Sequence, residues 1–155
     1  MKKIVVLSGA GISAESGIST FRDANGLWEN HRIEDVASPE GFAKNPELVM
    51  TFYNLRRRQL KDVSPNKAHK ILAELEQYFE VSIITQNVDN LHERAGSTNV
   101  IHLHGELNKV RPFNGFYPIL QWEDDLEIGD TDDSGNQLRP HIVWFGEMVP
   151  EMENA

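Results

Sequence analysis

The ten residues VVLSGAGISA, Val5 to Ala14, constrain this chain more than any other stretch. An apolar run from Ile4 to Leu7 is too short for a helix or for the apolar stretch of a signal peptide, and it reads as a core strand. It runs directly into Gly9, Ala10, Gly11, Ile12, Ser13 and Ala14, which fit the G-x-G-x-x-G/A pattern. A strand followed by such a turn lets backbone N–H groups at a helix start approach a pyrophosphate. A tight turn with no ligand satisfies the same short pattern, so the rest of the chain must decide. A dehydrogenase of the common type would place a second strand ending in an acid about twenty residues on. Here that region reads FRDANGLWENHR, which is irregular.

Further short strands are predicted at Val81–Thr85, Val100–Leu103 and Ile142–Phe145. Pro46 to Leu60 begins with proline and glutamate and ends with arginines, as a helix should. A second helix is predicted with Ser64 as cap and Pro65 first, placing Ala68, Ile71, Leu72 and Leu75 on one face. Strands alternating with helices predict an α/β fold, a Rossmann-like parallel sheet with helices on both faces. Two stretches do not fit a plain alternation. Residues 24 to 43 read as irregular loop, and residues 108 to 138 read as a small inserted module, aromatic at Phe113, Phe116, Tyr117 and Trp122 and then acidic. The expected organisation is therefore a core over 1–107 carrying a helical and loop insertion at 24–60, the module at 108–138, and a return to the core at 139–155.

With 24 acidic against 15 basic residues, the net charge of −9 argues against general affinity for nucleic acid or for an anionic membrane. No segment approaches membrane-spanning length, so a cytoplasmic chain is expected. The absence of cysteine removes disulfides, thiolate metal sites and a cysteine nucleophile.

Four motifs in order, GAGISAESGISTFRD, TQNVDNLHERAG, HLHGEL and LRPHIVWFGE, resemble those of the sirtuins, NAD-dependent protein lysine deacylases. The resemblance implies that NAD is the cofactor and that acylated lysine proteins are the substrates. It also implies transfer of the acyl group with release of nicotinamide and O-acyl-ADP-ribose. By the same resemblance His104 is the catalytic base that deprotonates the ribose diol, a role suited to imidazole near neutral pH. His102, two residues earlier, is expected to be its structural partner. Gly9, Ala10, Gly11 and Ala14 would lie against the cofactor, Gln86 and Asn87 against the ribose, and Asp89 against the nicotinamide amide. Phe21, Arg22 and Asp23 would sit on the loop that closes over the nicotinamide ribose. From the residues alone, Gln86, Asn87 and Asp89 could equally be a turn cluster. The segment Val143, Trp144, Phe145, Gly146 and Glu147 would dock the peptide as an added strand.

Tyr53 and Arg56 are three apart on the predicted helix and so share a face. They resemble the Tyr-x-x-Arg pair of the sirtuins that remove succinyl and malonyl groups, where a guanidinium can hold a distal carboxylate. Three adjacent arginines also make an ordinary solvated basic face. Sirtuins of the usual type carry a four-cysteine zinc site in the stretch matching 108–138. Here no zinc is expected, and the aromatic residues are expected to supply a small hydrophobic core instead. The family pattern continues beyond Pro150 with further strands, so the expected sheet lacks its C-terminal half, as a fragment or as a truncated form. The alternative function is a non-catalytic module that binds ADP-ribose or an acyl-peptide. The oligomeric state is open.

Overall fold

The computed structural model describes residues 1–19 and 27–155. Three parallel strands form one sheet in the order β1 (Lys3–Ser8), β2 (Glu80–Thr85), β3 (Val100–His102). Register pairs Val6 with Ile83 and Thr85 with His102. Alternation sends Ile4, Val6, Val81 and Ile83 to one face, where Val81 and Ile83 are buried. Helix α6 (Leu91–Ala95) lies on that face, since Ser8 Oγ bonds His92 Nε2 at 3.0 Å, and α5 (Lys67–Glu74) packs on α6. The opposite face carries Val5 and Leu7, each 67% exposed.

A second sheet is antiparallel. Its central strand β4 (Gly105–Pro112) pairs with β5 (Leu120–Gln121) on one side and with β6 (Leu138–Ile142) on the other. Gly105 sits at φ +86° where a Cβ would lie 2.0 Å from the His141 carbonyl oxygen, so only glycine lets the two strands meet there. β6 ends at Ile142, and the expected strand through Phe145 is instead a turn with Gly146 at φ +88°. The apolar run continues past the strand because Trp144 is a core residue reached through that turn, 1% exposed.

Between the first two strands run α1 (Gly11–Ala14), α2 (Ile33–Val36), α3 (Pro39–Lys44) and α4 (Pro46–Asp62). The loop expected over 24–43 thus holds two short helices in its second half. ASPEGF, within that expected loop, is a helix start: Ser38 Oγ accepts from the Gly41 N–H at 2.9 Å and Pro39 takes the first helical position. Helix α5 begins two residues later than Ser64 predicts. Asn66 caps it, accepting from the Ala68 N–H, while the Asn66 N–H donates to His69 Nδ1 at 3.1 Å. Its buried residue is His69, and Ala68 and Ile71 of the expected face are exposed.

The main core does not lie on the parallel sheet. Val36, Phe42, Val49, Met50, Phe52, Tyr53 and Leu60 of the helical stretch pack with Leu107, Val110, Leu126, Leu138, Ile142 and Trp144 of the antiparallel part. The two excursions therefore bury one another. Polar clips fasten them as well. Asn54 donates to the Leu126 carbonyl at 3.0 Å and accepts from the Leu126 N–H at 2.8 Å. Arg57, 2% exposed, donates to the Leu107 carbonyl and to Asn54 Oδ1. This differs from the expected aromatic core: Phe113 and Tyr117 are exposed, and Phe116 stacks edge-on with Tyr117 and His141 beneath Arg111. Within 108–138 the buried core residues are instead the aliphatic Val110, Leu126 and Leu138, which pack against Leu107 and Ile142 at the module's flanks and against the helical stretch.

Candidate active site

The carboxyl ends of β1, β2 and β3 and the turn after β6 converge on a cavity of about 440 Å³. Its wall includes Ala10 from the glycine turn, Gln86, Asn87 and Asp89 after β2, and His104 after β3. Arg56 and Leu60 of α4 and the stretch Val143 to Glu147 complete it. Open α/β sheets bind ligands at this end because consecutive strand–helix turns leave backbone groups and short polar side chains there.

The turn is held from behind. Asn87 Nδ2 donates to the Gly9 carbonyl at 3.0 Å, and Ser13 Oγ donates to Asp89 Oδ2 at 2.9 Å. Asp89 Oδ1 accepts from the Leu91 N–H, so this carboxylate also starts α6. Gln86 is exposed, with its N–H on the Ser8 carbonyl. A Cβ added at Gly9 or Gly11 would meet nothing within 4 Å among the described residues, whose packing does not require glycine there. The bare backbone is open to a group lying against it, which is the fit a pyrophosphate needs. Gly11 and Ala14 lie on α1 and are exposed, outside the cavity wall. Phe21, Arg22 and Asp23 lie outside the described residues.

The two histidines of HLHGEL do different things. His104 Nδ1 lies 3.1 Å from the Gln86 carbonyl. A carbonyl only accepts, so Nδ1 carries the proton and Nε2 of the neutral ring is left as the base. His102 Nδ1 likewise donates to the Asn87 carbonyl, at 2.9 Å, but its Nε2 lies 2.5 Å from Glu93 Oε1. Burial opposes charging of His102, yet the hydrogen bond and charge of Glu93, with Glu106 beyond, outweigh it and raise its pKa. Glu93 is depressed in turn despite its own burial. Glu93, His102 and Glu106 offer three ligand atoms within 4.8 Å of one another, a grouping that sequence spacing did not show. A proton already bridges the first two, and Lys109 Nζ sits 2.7 Å from Glu106, so the cluster is charge-balanced as it stands.

Arg56 enters the cavity, and Tyr53 does not. Tyr53 is fully buried, and its hydroxyl accepts from Trp144 Nε1 at 3.1 Å. Burial pushes its phenol well above the usual range. Of the expected peptide segment, Val143 donates its N–H to the His104 carbonyl and Phe145 to the Ala37 carbonyl. The Glu147 carboxylate accepts twice from Arg139 and once from the Trp144 N–H, which holds the turn. Phe145 and Gly146 are its exposed part. Sequence reasoning missed Trp28, Glu29 and Gln59, which also line the cavity; LWENH was read only as a turn.

Fold and site together define a dinucleotide-linked α/β protein of sirtuin type, and the Sir2 family profile matches residues 9–155. The chain belongs to the Sir2 family. It is 63% identical to a protein of Helicobacter pylori named NAD-dependent protein deacylase, over all of this chain and 68% of that one. A crystal structure of a Sir2 homologue in complex with NAD is 49% identical, with a TM-score of 0.85 over 96% of this chain and 59% of that one. A structure of Sir2 bound to acetylated peptide is 33% identical, with a TM-score of 0.75, over 97% of this chain and 61% of that one. The chain thus spans about two thirds of the curated relative and about three fifths of the solved chains. Among the described residues, no helix is long and apolar enough to cross a membrane.

Proposed function

We propose that this chain carries the acyl-transfer site of an NAD-dependent protein lysine deacylase whose cavity takes dicarboxylic acyl groups such as succinyl. The observation that carries the proposal is the presence of a lone-pair imidazole nitrogen at His104 and a guanidinium at Arg56 on the wall of one cavity. When bound, NAD supplies an electrophilic ribose carbon with nicotinamide as leaving group. Gly9, Ala10, Gln86, Asn87 and Asp89 are assigned to hold it, and Phe21, Arg22 and Asp23 are assigned to it on the resemblance of their motif alone. His104 Nε2 takes a proton from a ribose hydroxyl and returns it within the cycle, with Nδ1 anchored on the Gln86 carbonyl to keep the tautomer. Val143 to Glu147 is assigned to the acylated peptide, Phe145 and Gly146 being the part it can reach. The aliphatic and aromatic wall from Ile18, Trp28, Leu60 and Ile142 excludes water along the acyl chain.

Arg56 supplies the selectivity, since a guanidinium gains a charge-assisted bond from a distal carboxylate and nothing from acetyl. Arg56→Met is expected to lower the ratio of desuccinylation to deacetylation by roughly ten- to a hundredfold. Arg58→Met serves as comparison, because Arg58 is exposed and pairs with Asp125. Equal effects of the two substitutions on that ratio would contradict the assignment.

A further inference from the structure

We propose that Glu29 is a built-in counter-ion of Arg56, which competes with the distal carboxylate of a dicarboxylic acyl-lysine and so sets the cavity's balance between charged and neutral acyl groups. The inference rests on the reading of Arg56 as the carboxylate-binding group. Both side chains line the cavity and are mostly shielded, 18% exposed for Arg56 and 26% for Glu29. Arg56 Nη1 lies 3.7 Å from Glu29 Oε2, close enough to neutralise the charge and too long for a strong hydrogen bond. Arg56 Nε is buried with no hydrogen-bond partner among the described residues, while the guanidinium carbon rests 5.1 Å from the Phe52 ring centroid. The guanidinium is therefore compensated in charge but not in hydrogen bonds. A second carboxylate can approach the guanidinium from the cavity that Arg56 lines, but it must enter against the field of the first.

The backbone beneath Glu29 points the same way. Trp28 and His31 exchange both backbone hydrogen bonds, at 3.0 and 2.9 Å, around a two-residue turn of Glu29 and Asn30. Both central residues are left-handed, at φ +48° and +64°. Such turns favour Asn and Gly at these positions, and a longer side chain there is unusual. The His31 ring donates from Nδ1 to the Glu29 carbonyl at 2.8 Å, which fixes the turn. A glutamate held in an unfavourable conformation with its carboxylate beside the cavity arginine fits a selected role better than an incidental one. With Glu29 in place, an acetyl group meets a neutral pair. Without it, the cavity holds an uncompensated cation that a succinyl group alone can pair.

The test is binding of succinyl-lysine and acetyl-lysine peptides of one sequence to the full chain, by calorimetry, for wild type, Glu29→Gln, Arg56→Met and the double variant. Glu29→Gln is expected to raise the succinyl-to-acetyl affinity ratio by roughly two- to fivefold, the scale of a partly shielded ion pair. It is expected to change nothing when Arg56 is already Met. Glu29→Asn, which suits the left-handed backbone, is expected to shift the ratio the same way, and melting curves identify any variant that fails to fold. If Arg56→Met lowers the ratio while neither Glu29 variant raises it, the counter-ion role is overturned and the Arg56 assignment stands. If Arg56→Met leaves the ratio unchanged, or a folded chain binds neither peptide, both are overturned.

Discussion

Four of the six histidines fall into two sets whose pKa values are shifted in opposite directions. Burial and the neighbouring Arg111, Lys109 and Arg139 push His141 down to about 4, and its Nδ1 is buried without a hydrogen-bond partner among the described residues. Burial also lowers His69 and His92, which pack edge to face at 5.0 Å behind the glycine turn. In each case the unfolded chain binds a proton that the folded one refuses. Their contribution to stability is present above the ordinary imidazole value and falls as pH drops below about 6.5, for His141 down to about 4. His102 is raised, so its contribution is complete below about 6.5 and is lost as pH climbs through its elevated pKa. Thermal midpoints measured against pH should fall on both sides. His141→Asn is expected to shallow the acid limb by up to about 1.4 kcal/mol per pH unit, and Glu93→Gln to remove the alkaline loss. An acid limb unchanged by His141→Asn would show that the ring is protonated in the folded chain. None of this could be read from residue order, because each shift depends on which distant charges the fold brings to one ring.

Among the elements, α4 matters most, because it contributes Arg56 to the cavity and Asn54 and Arg57 to the module. Asn54→Ala removes both bonds to Leu126 and the acceptor of Arg57, leaving buried groups unpaired. A loss of roughly 2–4 kcal/mol is expected from urea unfolding. Faster amide exchange should be concentrated at Leu126 and its neighbours. A loss under about 0.5 kcal/mol would mean that the apolar core alone holds the module. α4 itself was legible in the sequence, since PELVMTFYNLRRRQL has a start signal, helical spacing and terminal basic residues, and the structure runs it from Pro46 to Asp62. The same pattern could not separate Tyr53 from Arg56. Residues three apart share a face, but whether that face meets core or cavity depends on Trp144, ninety-one residues away. The start of α5 was misplaced for a related reason. Ser64 and Pro65 are as good a signal as Asn66, and Asn66 prevails because its amide also donates to the Ile12 carbonyl and to Ser16 Oγ.

For the molecule as a whole, the strand–glycine–helix opening and the strands at 81–85 and 100–102 were legible because parallel strands are short, apolar runs between turns. The antiparallel sheet was not, since β4 mixes Asn108, Lys109 and Arg111 with Leu107 and Val110 and carries a register break between Gly105 and Val110. That second sheet brings the residues after β6 against His104 and closes the cavity. We propose that this cavity performs a histidine-dependent acyl transfer from lysine with NAD. The measurement that tests it most directly is nicotinamide release from NAD under multiple turnover, with and without a succinyl-lysine peptide, for the wild-type chain and His104→Ala. Release in the wild type is expected to depend on the peptide. A fall of about 10² to 10⁴ is expected in the variant at an unchanged melting temperature. Peptide-dependent turnover near the wild-type rate in a folded His104→Ala chain, or none in the folded wild type, would contradict it.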